Sequence, residues 1–123
     1  MFVTNQERKG TGYYEFQFCK NKNPLKLGKI NNSKIKYWVE DSISIVDEEF
    51  DEFYKEYGKI FECAILSNGK KGFDNYGINY YDISTTKDIL AKLRNKNDKN
   101  NLILIDFLEK AINDYNGFYI LGL

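Results

Sequence analysis

Chemistry needs side chains that exchange protons, attack a substrate or hold a metal, and this chain has few of them in working combinations. It contains no histidine. A Ser-His-Asp triad, a Cys-His pair and a histidine-bearing zinc helix are therefore excluded, along with the usual proton shuttle at neutral pH. Cys19 and Cys63 lie far apart in sequence, outside any C-x-x-C spacing and without a neighbouring base. Both read as small apolar residues, reduced rather than bridged. Gly10 and Gly12 open a G-x-G, but the third glycine of a dinucleotide fingerprint is absent, no strand precedes it, and no P-loop occurs elsewhere. Asn31-Asn32-Ser33 spells a glycosylation acceptor, which reads as accidental in a chain without an export signal. Carboxylates remain, and pairs of them can do acid-base work on hydrolysable bonds. Nothing local marks any of them as buried, so no residue is assigned to catalysis, a cofactor or a metal. A small carboxylate-based hydrolase stands as an alternative only.

The charged residues are unevenly distributed. Residues 47–56 hold six acids, Asp47, Glu48, Glu49, Asp51, Glu52 and Glu56, against Lys55 alone. Residues 20–36 hold Lys20, Lys22, Lys26, Lys29, Lys34 and Lys36 and no acid. With 18 Lys+Arg balancing 18 Asp+Glu, a formal net charge of zero hides a bipolar molecule whose local fields can steer a charged partner. The block has two readings, the solvated outer face of an amphipathic helix, which is the commoner outcome, or an electrostatic docking site; its density, beyond what solubility requires and with mutual repulsion unrelieved until a cation arrives, lifts the second to equal weight. The lysine block reads as a solvated loop or a phosphate patch. Its lack of interleaved aromatics and arginines disfavours sequence-specific nucleic-acid readout, so a lysine-loop nucleic-acid-binding module is the second alternative.

The elements that position these groups follow from periodicity. The 123 residues suit one domain, residues 1–123, and 42% hydrophobic and 16% aromatic content, with 10 Tyr and 9 Phe, suffices for a core. No stretch is long and apolar enough to span a membrane, and residues 1–9 lack the apolar run of a leader, so the expected compartment is the cytoplasm. Tyr14, Phe16 and Phe18 alternate with Glu15 and Gln17, the pattern of a half-buried strand. Residues 21–33, with the single proline at 24, read as an exposed loop. Ile35, Tyr37 and Val39 alternate again, as do Ile43 and Ile45, suggesting two strands joined across Glu40 and Asp41. Asp47 is the expected N-cap of an amphipathic helix carrying Phe50, Phe53, Tyr54, Tyr57, Ile60, Phe61, Ala64 and Ile65, interrupted by Gly58 and stopped at Asn68-Gly69. A short strand over residues 78–81 precedes a helix capped by Asp82 or Ser84 and bearing Ile89, Leu90 and Leu93. After a polar hinge at 95–101, Leu104, Leu108, Ala111, Ile112 and Tyr115 mark a further helix, ended by Asn116-Gly117, and residues 118–121 read as an interior strand. The expected fold is α+β: a mainly antiparallel sheet packed with about three amphipathic helices.

Tyr76, Tyr80 and Tyr81 read as strand tyrosines that turn a ring inward rather than as a binding surface. The run Tyr76-Gly77-Ile78-Asn79-Tyr80-Tyr81-Asp82 leading into a capped helix, and the ending Asn116-Gly117-Phe118-Tyr119-Ile120-Leu121-Gly122, are similar to stretches of small immunity proteins from bacterial polymorphic-toxin and contact-dependent growth inhibition systems. The likeness spans roughly residues 37–123. It implies a cytoplasmic protein that binds one cognate toxin domain, often a nuclease, and covers its active or substrate-binding site. A nuclease attracts phosphates with a basic cleft, and the acidic residues 47–56 would fit it as a mimic of nucleic acid. Charge pairing raises mainly the association rate, so Phe50, Phe53 or Tyr54 would supply lasting affinity if their edges are exposed.

Overall fold

A strand with aromatic residues on alternate positions can bury one whole face, and Tyr13–Phe18 (β2) does so near the middle of the sheet. The computed structural model describes residues 1–21, 35–96 and 101–122. In chain order the other elements are β1 (Phe2–Thr4), β3 (Ile43–Val46), α1 (Asp47–Phe61), β4 (Ala64–Leu66), β5 (Lys71–Gly72), β6 (Ile78–Tyr81), α2 (Ile83–Lys96), α3 (Leu102–Asp114) and β7 (Phe118–Leu121). The seven strands form one sheet in the order β1-β3-β2-β7-β6-β4-β5, and every neighbouring pair is antiparallel. With three helices packed on it, the domain is α+β as the periodicity implies.

The core lies between one face of the sheet and the apolar stripes of all three helices. Tyr14, Phe16 and Phe18 of β2, Ile43 and Ile45 of β3, and Phe118 and Ile120 of β7 meet Phe53 and Phe61 of α1, Leu93 of α2 and Phe107 and Leu108 of α3. Many contacts are ring on ring: Tyr81 stacks on Phe118 at 4.6 Å between centroids, Phe18 on Phe107 at 4.2 Å, and Tyr14 on Phe50 at 3.7 Å. Such pairs add about 0.5–1.5 kcal/mol each beyond their buried area. The Tyr81 hydroxyl donates to the Phe61 carbonyl at 2.5 Å, satisfying one of the acceptors left open where α1 ends. Asp82 is the cap of α2, its Oδ1 accepting the Thr85 N–H at 2.8 Å. Gly117, at φ 84°, turns the chain from α3 into β7 where a Cβ would stand 2.0 Å from the Tyr81 carbonyl oxygen. Only glycine fits there.

Several expectations fail for identifiable reasons. Residues 35–39 form no strand. The N–H groups of Trp38 and Val39 donate to the two Glu15 carboxylate oxygens at 2.8 and 3.0 Å, and the Lys36 carbonyl accepts from Gln17 Nε2 at 2.7 Å. These backbone groups are thus spent on side chains of β2 rather than on a ladder, and Trp38 sits at φ 63°, where no strand residue can. The same contacts overturn the half-buried reading of β2, since Glu15 and Gln17 are 0% and 6% exposed. Helix α1 ends at Phe61 rather than 65 because Ala64 and Ile65 pair in β4 with β5 and β6, and Gly69 turns the β4–β5 hairpin instead of stopping the helix. Asp47 is the first helical residue, not the cap; Val46 precedes it with extended dihedrals and no capping side chain. Lys22, Lys26, Lys29 and Lys34, the glycosylation-like triplet and most of the 21–33 loop lie outside the described residues, as do residues 97–100 of the polar hinge.

Candidate interaction surface

Helix α1 follows β3 directly, so its first turn starts at the end of an interior strand of the sheet. Asp47, Glu48 and Glu49 occupy that turn, where the positive end of the helix dipole favours carboxylates. Phe50, Phe53, Tyr57, Ile60 and Phe61 recur at steps of three and four and face the core, which forces the intervening positions outward. All six acids, Asp47, Glu48, Glu49, Asp51, Glu52 and Glu56, are exposed. Among the described residues, the ion pair this block makes is between Glu49 and the Met1 amino group at 3.9 Å, with both partners partly exposed. The acids of this block thus all face solvent, with Lys55 and Lys59 exposed among them.

The aromatic candidates divide. Phe50 and Phe53 are 3% and 2% exposed, so the condition set for them as anchors, an exposed edge, is not met. Phe53 packs on Phe2, Tyr57 and Phe61, and Phe50 lies under Tyr14 and Phe73. Tyr54 is half-buried and held in an unusual way. Its ring lies along the helix over Gly58, where a Cβ would come within 2.8 Å of two ring carbons, and its hydroxyl donates to Glu62 Oε1 at 2.8 Å. Burial first, then the bond to Glu62, pushes the Tyr54 hydroxyl up to about 12. The glycine that reads as a helix interruption, at a cost of about 1 kcal/mol relative to alanine, is the space this ring occupies. Tyr54 also faces Phe73 at 5.5 Å, and between them opens a cleft of about 340 Å³ lined by Phe50, Asp51, Tyr54, Lys55, Phe73 and Asn75. Beside it, burial and then the Asp47 and Asp51 carboxylates raise the Tyr14 hydroxyl above the usual tyrosine range.

Of the remaining candidates, Tyr80, Tyr81, Cys19 and Cys63 are structural, whereas Tyr76 and Lys36 are exposed. Tyr80 and Tyr81 are buried, whereas Tyr76 is 78% exposed. Cys19 Sγ donates to the Tyr119 hydroxyl at 3.3 Å in a second small cluster on the opposite face of the sheet, and Cys63 Sγ to the Ile60 carbonyl at 3.3 Å, so the two thiols are free and separately engaged. Burial raises the Cys63 thiol. Lys20 is paired with Asp41 at 2.7 Å, and this bond raises its ammonium above the usual lysine range. Lys36 is exposed. Among the described residues no three His, Cys, Asp or Glu side chains converge as a metal site would require, and no helix is long and apolar enough to cross a membrane.

Two features escape a residue-by-residue reading. Glu15 is a buried carboxylate that fastens the strap at residues 36–39 to the back of the sheet, with Gln17 Nε2 also donating to it at 2.8 Å. Strap and amino-terminal loop meet where the Arg8 guanidinium lies 3.9 Å over the Trp38 ring. The flat Tyr54 ring is the other. Its signal is the i, i+4, i+8 series of tyrosine, glycine and glutamate. The two runs that carry the likeness to immunity proteins form the adjacent strands β6 and β7, with Ile78 opposite Leu121 and Tyr81 opposite Phe118. Their strand residues are buried, whereas Tyr76, just before β6, is exposed. Compared with known proteins, the chain matches no family model, no curated protein and no solved structure.

Proposed function

We propose that this chain is an immunity protein that binds a cognate bacterial toxin domain, a nuclease in the simplest case, and neutralises it by lying across its active or substrate-binding site. The observation that carries the reading is the placement of all six carboxylates of residues 47–56 on the solvent side of α1, with the helix's aromatic stripe turned away into the core. A nuclease must hold phosphates and so presents cationic side chains around its cleft; a row of fixed carboxylates competes for the same contacts. The long-range field brings the partners together quickly, and close contact at Tyr54 and its cleft slows their separation. No bond of the partner is made or broken in this account. The protein acts by occupancy, in the cytoplasm where the toxin's substrate lies.

The test is to tag the chain, purify it gently from its native host and identify what remains bound in near-stoichiometric amount. The expected companion is a single basic polypeptide that is toxic when expressed alone and harmless when expressed with this chain, with a Kd near nanomolar, about −12 kcal/mol. Bound nucleic acid or a small molecule in its place would overturn the reading.

A further inference from the structure

The chain contains two Asn-Gly pairs, Asn68-Gly69 and Asn116-Gly117, and the fold holds them very differently. In such a pair the glycine has no Cβ to shield its nitrogen, which can attack the side-chain amide of the asparagine before it. The peptide between the two must rotate for that attack, so the hydrogen bonds that fix it decide whether the reaction proceeds in the folded protein. Asn68 is exposed in the loop at 67–69 that joins β4 to β5. The Gly69 N–H donates to the Leu66 carbonyl at 2.9 Å and the Lys70 N–H to Asn68 Oδ1 at 2.9 Å. Beyond the loop lies β5, two residues long and at the edge of the sheet, so little else has to move when this turn opens.

The second pair is bound on every side. The Gly117 N–H donates to the Ala111 carbonyl at 3.2 Å, its carbonyl accepts from the Cys19 N–H at 3.0 Å, and the Asn116 N–H donates to the Cys19 carbonyl at 3.0 Å. The Asn116 carbonyl accepts from the Tyr80 hydroxyl at 2.9 Å, and its Nδ2 donates to the Asn21 carbonyl. Gly117 is buried against the Tyr81 carbonyl at the entrance to β7, an interior strand. Rotation there would undo the junction of α3, β2 and β7.

We infer that Asn68 is a site of spontaneous modification, in which the side-chain amide is converted to a carboxylate and the main chain is rerouted, while the fold protects Asn116 from the same chemistry. Hydroxide removes the Gly69 amide proton and the nitrogen attacks Asn68 Cγ. The new C–N bond closes a cyclic imide as the Cγ–Nδ2 bond breaks and ammonia leaves. Water then opens one of the two imide C–N bonds, giving either aspartate or an isoaspartyl link that carries the main chain through Cγ. No electrons are exchanged with an outside reagent. The isoaspartyl form adds a methylene to the backbone of a three-residue loop, so the register of Ile65 on Lys71 and of Ala64 on Gly72 is lost and β5 leaves the sheet edge.

The test is to incubate the intact protein at mildly alkaline pH, folded and in parallel unfolded in urea, and to follow both sites by peptide mapping and mass spectrometry. In the folded protein Asn68 should convert at least about tenfold faster than Asn116, the factor that one modest difference in local opening free energy produces. In urea the two sites should convert at similar rates. Asn68→Gln, whose longer side chain would have to close a larger ring, should fold normally and gain no carboxylate at this position. In the isoaspartyl fraction the amide signals of residues 64–73 should shift while those of β2 and β7 stay in place. Equal conversion of the two sites in the folded protein, or an Asn68 that stays intact when folded although it converts in urea, overturns the assignment. Unmoved β5 signals in the isoaspartyl fraction overturn the release of the edge strand.

Discussion

Replacing Gly58 by alanine tests the reading of α1 most sharply, because two known effects oppose each other at one atom. In an ordinary exposed helix position the change stabilises by about 1 kcal/mol, since alanine surrenders less backbone entropy on folding than glycine. Here the new methyl would stand 2.8 Å from two carbons of the Tyr54 ring, too close for the ring to stay. Its departure removes the bond to Glu62, worth about 0.5–1.5 kcal/mol for a half-exposed hydroxyl. It also loosens the pairs with Phe50 at 5.9 Å and Phe73 at 5.5 Å, each worth up to about 1 kcal/mol. The expected net change in urea unfolding therefore lies between a gain of about 0.5 and a loss of about 2.5 kcal/mol, in place of the full gain of about 1. In a Tyr54→Ala background the conflict vanishes and Gly58→Ala should recover its full stabilisation of about 1 kcal/mol, a coupling that a double-mutant cycle measures directly. A second readout is the Tyr54 hydroxyl, raised to about 12 by burial and Glu62, which should fall back towards the ordinary tyrosine value in Gly58→Ala when followed with 13C-labelled tyrosine. Full stabilisation in the parent protein together with an unmoved Tyr54 titration would refute the argument.

The Glu15 latch predicts that Glu15→Ala, which leaves the partly buried N–H groups of Trp38 and Val39 without an acceptor, costs about 1–3 kcal/mol in urea unfolding. Glu15→Gln keeps one acceptor oxygen and should cost less, so equal losses for the two variants would count against the latch. Alkaline conditions give a third expectation. Burial raises the hydroxyls of Tyr54, Tyr81 and Tyr119 in the folded state, so below their unfolded value of 10.0 the protonated forms cost nothing and stability is unaffected. Above it the unfolded chain ionises first, and stability is lost as pH climbs through about 12, the folded value of Tyr54. A urea midpoint that is flat from pH 7 to 9 and falls beyond 10 checks this; a midpoint that rises with alkali contradicts it.

The parts of the fold that sequence reading recovers are those whose pattern and tertiary role coincide. Strand β2 follows from alternation, β6 from its short β-prone run, β7 from a short unbroken apolar run, helix α3 from the three-and-four stripe and the Asp82 cap of α2 from a short polar residue before the helix. Ala64 and Ile65 mislead because they continue the helical stripe by chance while their backbone pairs in β4. Residues 35–39 mislead because alternation says nothing about where the backbone hydrogen bonds go, and here they go to Glu15 and Gln17. Strands β1 and β5, three and two residues long, are too short to show a period. At the candidate surface, the acidic block is visible as composition and its exposure follows from the aromatic stripe opposite. That same stripe removes Phe50 and Phe53 as anchors, since a residue that fills the core of α1 has no edge left for a partner. The braced Tyr54 becomes visible only when Gly58 and Glu62 are read with it, because a gap in a helix means something different when a ring lies in it.

The central claim is that the carboxylates of α1 recognise a basic protein surface. The direct measurement is the binding kinetics of the purified companion to the parent chain and to a variant carrying Glu48→Lys, Asp51→Lys and Glu52→Lys, at low and at physiological salt. All three positions are exposed, so stability should hold within about 0.5 kcal/mol at 51 and 52 and about 1 kcal/mol at 48, where a carboxylate of the first turn is lost. The account predicts an association rate at least about tenfold slower for the variant at low salt, with the steep salt dependence of the parent flattened or reversed. Equal association rates and equal salt dependence in the two proteins would contradict it.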